Sequence, residues 1–118
     1  MAANKSVLVV DDDDLVRDSM RLLLEAVGYD VACASDGKEA LDLLRRGVPA
    51  SVILLDLVMP VMSGWQFREE QRRDPALAGI PVLVITGETE TAASLGAAGC
   101  FRKPVEPGEL LEAVRVLA

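Results

Sequence analysis

The hydropathy of the chain switches between two periods. Short, almost continuous apolar runs occur at SVLVV (6–10), DVACA (30–34), SVILLD (51–56), PVLVIT (81–86) and, more weakly, GCFR (99–102). Val and Ile dominate the first, third and fourth of these. Runs that short, with no polar alternation, read as strands covered on both faces, as a parallel sheet requires. Segments of helical period lie between them. In 14–27, Leu15, Met20, Leu22, Leu23 and Val27 are expected to form an apolar stripe, and Gly28 follows as a stop. In 36–46, Asp36 caps with Glu39 three residues on, Ala40, Leu41 and Leu44 face inward, and Gly47 ends the helix. A third helix starts at Ser63 and stops before Asp74-Pro75, and a last one over 107–117 opens with Pro107 in its first turn. Arg45-Arg46 and Arg72-Arg73 close helices, where cations suit the negative pole. With one more helix within 88–98, five strands alternate with five helices, which predicts an α/β domain built on a parallel sheet.

Composition narrows the picture. The 118 residues fit one domain, 1–118, with one core. Hydrophobic residues make up 51% and aromatic residues 3%, so that core is aliphatic. Twelve basic against nineteen acidic residues give a net charge of −7, which argues against both a nucleic-acid binder and an anionic-membrane binder. Cys33 and Cys100 stand singly in apolar surroundings, with no CxxC and no His, and read as two reduced, packed thiols. Trp65 reads as packing or surface. MAANKS carries no apolar signal region and no run approaches a membrane span, so a soluble cytoplasmic protein is the expectation.

The chemistry is expected where the strands end. In an open parallel sheet the C-terminal strand ends share one edge, and ligands sit there at the topological switch point. Strand one ends in Asp11 and Asp12, strand three in Asp56, strand four in Thr86, and strand five in Lys103. Three carboxylates, a hydroxyl and an ammonium therefore converge on one edge, while strand two brings nothing comparable and suits the sheet's rim. Apolar neighbours leave Asp56 half-buried, where a carboxylate is paired or functional. Clustered carboxylates without His or Cys select a hard cation, and a site with few protein ligands favours Mg²⁺. A cation, a hydroxyl and an ammonium beside a carboxylate suit a phosphoryl group, with Asp itself as a possible nucleophile.

VLVVDDDDLVRDSM, SDGKEALDLL, ILLDLVMPVMSGWQF, IPVLVITG and GAAGCFRKPV, in that order, resemble the blocks of response-regulator receiver domains of two-component signalling, the chemotaxis-regulator type included. The resemblance covers roughly 6–117. It implies a doubly wound (βα)₅ flavodoxin-like three-layer sandwich with strand order 2-1-3-4-5. It implies that Asp56 takes a phosphoryl group from the phosphohistidine of a histidine kinase or phosphotransfer protein. Asp12 would bind Mg²⁺ directly and Asp11 largely through water, with Asp56 and the backbone carbonyl of Val58 completing the protein ligands. Thr86 and Lys103 would hold phosphoryl oxygens, and the Lys103–Pro104 bond would be cis. Asp13 and Asp14 then fall outside the pocket and cap the first helix. The resemblance implies a phosphoacceptor signalling module with only Mg²⁺-dependent self-phosphorylation and slow self-dephosphorylation, not an enzyme in the ordinary sense.

The sequence departs from the family pattern in places. The aromatic residue usual three positions before the Lys is Cys100 here, with Phe101 beside it, and alternation should turn Phe101 the other way. The segment from Thr86 to Lys103 is short by roughly five residues, and Gly96 cuts into its helix. Both features predict a small switch confined to residues 86–98. Glu106 stands where Ser or Asp more often caps, before Pro107. Two other readings stay open: a pseudo-receiver that only binds, and a haloacid-dehalogenase-like phosphohydrolase using Asp11-x-Asp13. The chain is expected to be either a stand-alone receiver or part of a larger regulator or hybrid kinase.

Overall fold

The computed structural model describes residues 5–87 and 96–118. Five strands appear: β1 (Ser6–Val10), β2 (Asp30–Ala34), β3 (Val52–Leu55), β4 (Val82–Thr86) and β5 (Gly99–Arg102). Four helices accompany them: α1 (Asp14–Ala26), α2 (Gly37–Arg45), α3 (Gly64–Arg73) and α4 (Pro107–Leu117). All strand pairs are parallel, in the order β2-β1-β3-β4-β5. This is the doubly wound order, and the chain changes direction across the sheet between β1 and β3. The helix expected within 88–98 falls largely outside the described residues.

Pleating divides the apolar strand residues into two layers. Leu8, Val10, Ile53, Leu55, Val82 and Val84 pack with Ala40, Leu41 and Leu44 of α2 and Phe67 of α3. Their neighbours Val7, Val9, Val52, Leu54, Leu83 and Ile85 pack with Met20 and Leu24 of α1 and with Leu110 and Val114 of α4. The register accounts for this sorting, since Val9 pairs with Leu54, and Leu54 pairs with Leu83. The central strands β1, β3 and β4 are buried along their whole length, as unbroken Val/Ile/Leu runs require. The rim strands β2 and β5 are only partly covered.

Helix starts follow the capping residues. Asp13 caps α1 by accepting from Leu15 N and Val16 N, and Asp14 adds a carboxylate to the first turn. Asp36 accepts from Glu39 N at the start of α2. Ser63 and Gln66 form a reciprocal capping box on α3. Glu106, with one more methylene than Asp, still accepts from Gly108 N and Glu109 N ahead of Pro107.

Two expectations are corrected. Leu15 (79% exposed), Leu22 and Val27 do not face the sheet; the buried side of α1 is Met20 and Leu24, flanked by Val16 and Leu23. Val27 lies past the last helical residue, as the cap. Both cysteines are free as expected, but Cys100 is exposed, because it lies on a rim strand. Phe101, its neighbour, turns the other way and packs on the α1/α4 layer, as alternation predicts.

Candidate functional site

Three of the expected site residues are each fixed by a sheet hydrogen bond one step past their strands. Asp11 N donates to the Ala34 carbonyl at 3.1 Å, Asp56 N to the Val10 carbonyl at 2.9 Å, and Lys103 N to the Thr86 carbonyl at 3.1 Å. The ladders thus carry these three positions, with Thr86 at the end of β4, onto one edge, at the point where the strand order reverses. Asp11, Asp56 and Thr86 are buried, Lys103 is partly exposed and Asp12 is exposed.

Carboxylate oxygens of Asp11, Asp12 and Asp56 lie within 4.8 Å of one another. Lys103 Nζ sits between two of them, 2.8 Å from Asp11 Oδ2 and 3.2 Å from Asp56 Oδ2. The Lys103–Pro104 peptide bond is cis, as the resemblance implied. Burial raises the Asp56 carboxyl above its ordinary pKa. Lys103 opposes that rise, Asp11 adds to it, and the Val58 backbone N–H opposes it weakly. For Lys103, burial lowers the pKa, but the hydrogen bond and charge of Asp11 and the charge of Asp56 outweigh burial and hold the ammonium above its usual value.

The loop after β3 shapes the pocket floor. Gly64 N donates to the Leu57 carbonyl at 2.9 Å. A Cβ on Gly64 would lie 2.3 Å from the Asp56 carbonyl oxygen, so only glycine lets α3 start against the strand end. Met62 N donates to the Pro60 carbonyl at 2.7 Å, and the residue between, Val61, has φ 65°. The Met62 carbonyl in turn accepts from Gly37 N at 3.1 Å, which ties this loop to the start of α2.

Asp13 and Asp14 stay outside the pocket. The Asp13 carboxylate is engaged as the α1 cap, so it does not pair with Asp11 as an Asp-x-Asp motif would require. Arg17 was not singled out by its place in the sequence. Its guanidinium reaches back from the first turn of α1 to the Asp11 carbonyl at 2.7 Å and also pairs with the Asp14 carboxylate. Side chains on a helix lean toward its N-terminus, and that lean, with the six-residue spacing, is the signal that points to the contact.

The donor set fits a hard divalent cation. At such separations each carboxylate pair costs about 3 kcal/mol at an effective dielectric near 20, and one ammonium cannot balance three negative charges. All three donors are oxygen, and the exposed Asp12 leaves the pocket open to water, as a partly hydrated Mg²⁺ requires. The fold and these residues therefore define a doubly wound domain with a cation-ready acidic pocket at its switch point.

Residues 7–115 match the family model of the response regulator receiver domain. The chain is 33% identical over 122 residues to the "Probable transcriptional regulator ycf27" of Guillardia theta, covering 99% of this chain and 46% of that protein. It is 34% identical over 114 residues to the DNA-binding response regulator MtrA of Mycolicibacterium smegmatis, covering 92% of this chain and 48% of that protein. The chain thus spans about half the length of these curated relatives. Among solved structures it is similar to the chemotaxis protein CheY4 of Vibrio cholerae, at TM-score 0.89 and 33% identity, covering 98% of this chain and 100% of that one. A response regulator receiver protein from Pseudomonas putida matches at TM-score 0.90 and 30% identity, over 98% and 99% of the two chains. The chain belongs to the response regulator receiver domain family.

Proposed function

We propose that this chain is a single receiver domain, 1–118, whose Asp56 accepts a phosphoryl group from the phosphohistidine of a histidine kinase or phosphotransfer protein. The observation that supports the reading best is Lys103 Nζ lying between Asp11 and Asp56, inside a three-carboxylate pocket. An Asp56 carboxylate oxygen attacks phosphorus, an O–P bond forms, and the P–N bond to the imidazole breaks. The imidazole nitrogen keeps the electron pair and regains its proton from solvent. Lys103 is the cation that can leave its carboxylate contact with Asp56 and hold a phosphoryl oxygen, and the Thr86 hydroxyl donates to a second. Asp11, Asp12, Asp56 and the Val58 carbonyl would hold Mg²⁺, which supplies charge neutralisation for the phosphoryl oxygens.

The domain acts as a phosphoacceptor and switch, with the region after β4 passing the change to a protein partner. A charge of −7 makes nucleic acid and anionic membrane poor partners for this domain. No helix among the described residues is long and apolar enough to cross a membrane; we place the domain in the cytoplasm, where histidine kinases present their phosphohistidine. The test is incubation with acetyl phosphate and Mg²⁺, read by intact mass. Wild type gains one phosphoryl mass, while Asp56→Asn and chelated wild type do not. No gain in wild type would leave the domain a pseudo-receiver that only binds. Lys103→Ala is expected to accept phosphate slowly and to lose the response of β4 and β5 to beryllofluoride, read by backbone chemical shifts. Wild-type shift changes in that variant would remove Lys103 as the transmitting contact.

A further inference from the structure

Asp12 poses a problem that its neighbours do not. Asp11 is held by Lys103 and by the Asp13 backbone N–H, which donates to Asp11 Oδ1 at 2.9 Å. Asp56 is held by Lys103. The Asp12 carboxylate has no hydrogen bond or ion pair among the described residues, and it is exposed. Its aim into the pocket therefore depends on the backbone that carries it.

That backbone is held by Arg17. Nη1 donates to the Asp11 carbonyl at 2.7 Å, and that oxygen belongs to the Asp11–Asp12 peptide group. A second nitrogen of the same guanidinium pairs with Asp14, and the Arg17 side chain is only 16% exposed against 83% for Asp14. The guanidinium is thus a planar bracket between the end of β1 and the first turn of α1, with Asp12 spanned between its two anchors. Arg suits this role because its fork serves two acceptors in fixed geometry, whereas an ammonium is a point donor. The following Asp12–Asp13 peptide is held as well, since its Asp13 N–H donates to Asp11 Oδ1 and the Asp13 side chain caps α1.

We propose that Arg17 is a positioning residue for the cation site, fixing the Asp11–Asp12 peptide so that Asp12 is preorganised as a ligand. This rests on the phosphoacceptor reading above. Arg17 carries positive charge close to a cation pocket. On charge alone, removing it strengthens Mg²⁺ binding. As a positioning residue, its removal weakens binding. Outer partners that orient ligands commonly contribute tenfold or more to metal affinity.

The experiment is calorimetric titration of Mg²⁺ into wild type, Arg17→Met and Arg17→Lys, with circular dichroism to confirm folding. Arg17→Met is expected to bind about tenfold more weakly. Arg17→Lys keeps the charge but not the two-acceptor bracket, and is expected to fall between the two. Phosphorylation by acetyl phosphate adds a second readout: Arg17→Met should need more Mg²⁺ for half-maximal rate yet reach the wild-type rate at saturation. Equal or tighter Mg²⁺ binding in Arg17→Met overturns the proposal. If Arg17→Met does not fold, wild-type affinity in Arg17→Lys overturns it instead. Failure of the wild type to bind Mg²⁺ or take phosphate is a separate outcome, which refutes the phosphoacceptor reading.

Discussion

At the pocket, one carboxylate costs the fold stability. Burial and the Asp11 charge leave Asp56 with a raised pKa despite Lys103. A carboxyl whose folded-state pKa exceeds its unfolded value binds its proton more tightly when folded. Stability therefore falls as pH rises from the unfolded value through the folded one, and stays lower above it. Lys103, raised in turn, contributes stability that is constant through this window and is lost only above the ordinary lysine pKa. Asp56→Asn should consequently melt higher than wild type at pH 7.5 without divalent cation. The gain should shrink by pH 4.5. A lower midpoint for Asp56→Asn at pH 7.5 would show that the Lys103 contact outweighs the burial cost. The positions of Asp11, Asp12, Asp56 and Lys103 were legible in the sequence because strand ends of a parallel sheet must share an edge. The Arg17 contact left no mark in apolar periodicity, because it is a hydrogen bond to a backbone oxygen; only the lean of helical side chains pointed to it.

Helix α1 and the loop after β3 show where periodicity misleads and where it is silent. The stripe expected on α1 took in Leu15, Leu22 and Val27 and left out Val16 and Leu24. At 3.6 residues per turn, Leu15 and Leu22 lie roughly a third of a turn from the line through Val16, Met20, Leu23 and Leu24. The sheet covers only that line, so Leu24 is fully buried while Leu22 is 61% exposed. Leu24→Ala should lose about 2–4 kcal/mol in urea unfolding, from lost transfer energy plus a cavity. Leu22→Ser should stay within about 0.5 kcal/mol of wild type, and comparable losses at both would place α1 in a different rotation. The positive φ of Val61 was not legible at all, since a β-branched residue is the last choice for that conformation. Tertiary contacts impose it: Met62 is tied to α2, and Ser63 and Gly64 seat α3 against the strand end. Val61 is 76% exposed, so its side chain contributes little packing. Val61→Gly should then raise stability by about 1 kcal/mol by removing the strain beside Asp56, as read by the denaturation midpoint. A loss would mean that the added freedom of the unfolded chain outweighs it.

Across the whole molecule, the site exists only when the sheet does. The chain segments that meet there are far apart in sequence: Asp11 follows β1, Asp56 follows β3, and Lys103 follows β5. The five apolar runs locate all five strands, with bounds that agree within a residue, because buried parallel strands carry the plainest signal a sequence offers. Reversal of the strand order at β1 and β3 then puts two of the carboxylates side by side. The same assembly concentrates like charge, so a cation bound there would couple to folding. Unfolding separates the strands and dissolves the site, and a cation that binds only the folded chain stabilises it by mass action. At ten times its dissociation constant, Mg²⁺ should add about 1.4 kcal/mol. The urea midpoint should rise with no change in slope, since the surface exposed on unfolding is unchanged. In Asp56→Asn, already relieved of part of the repulsion and short of one donor, the Mg²⁺ increment should fall to less than half that of wild type. The two effects have opposite signs in the same variant: higher stability without the cation and a smaller response to it. A Mg²⁺ increment as large in Asp56→Asn as in wild type would show that the cation is held by Asp11 and Asp12 without Asp56, and would separate the metal site from the proposed phosphoacceptor.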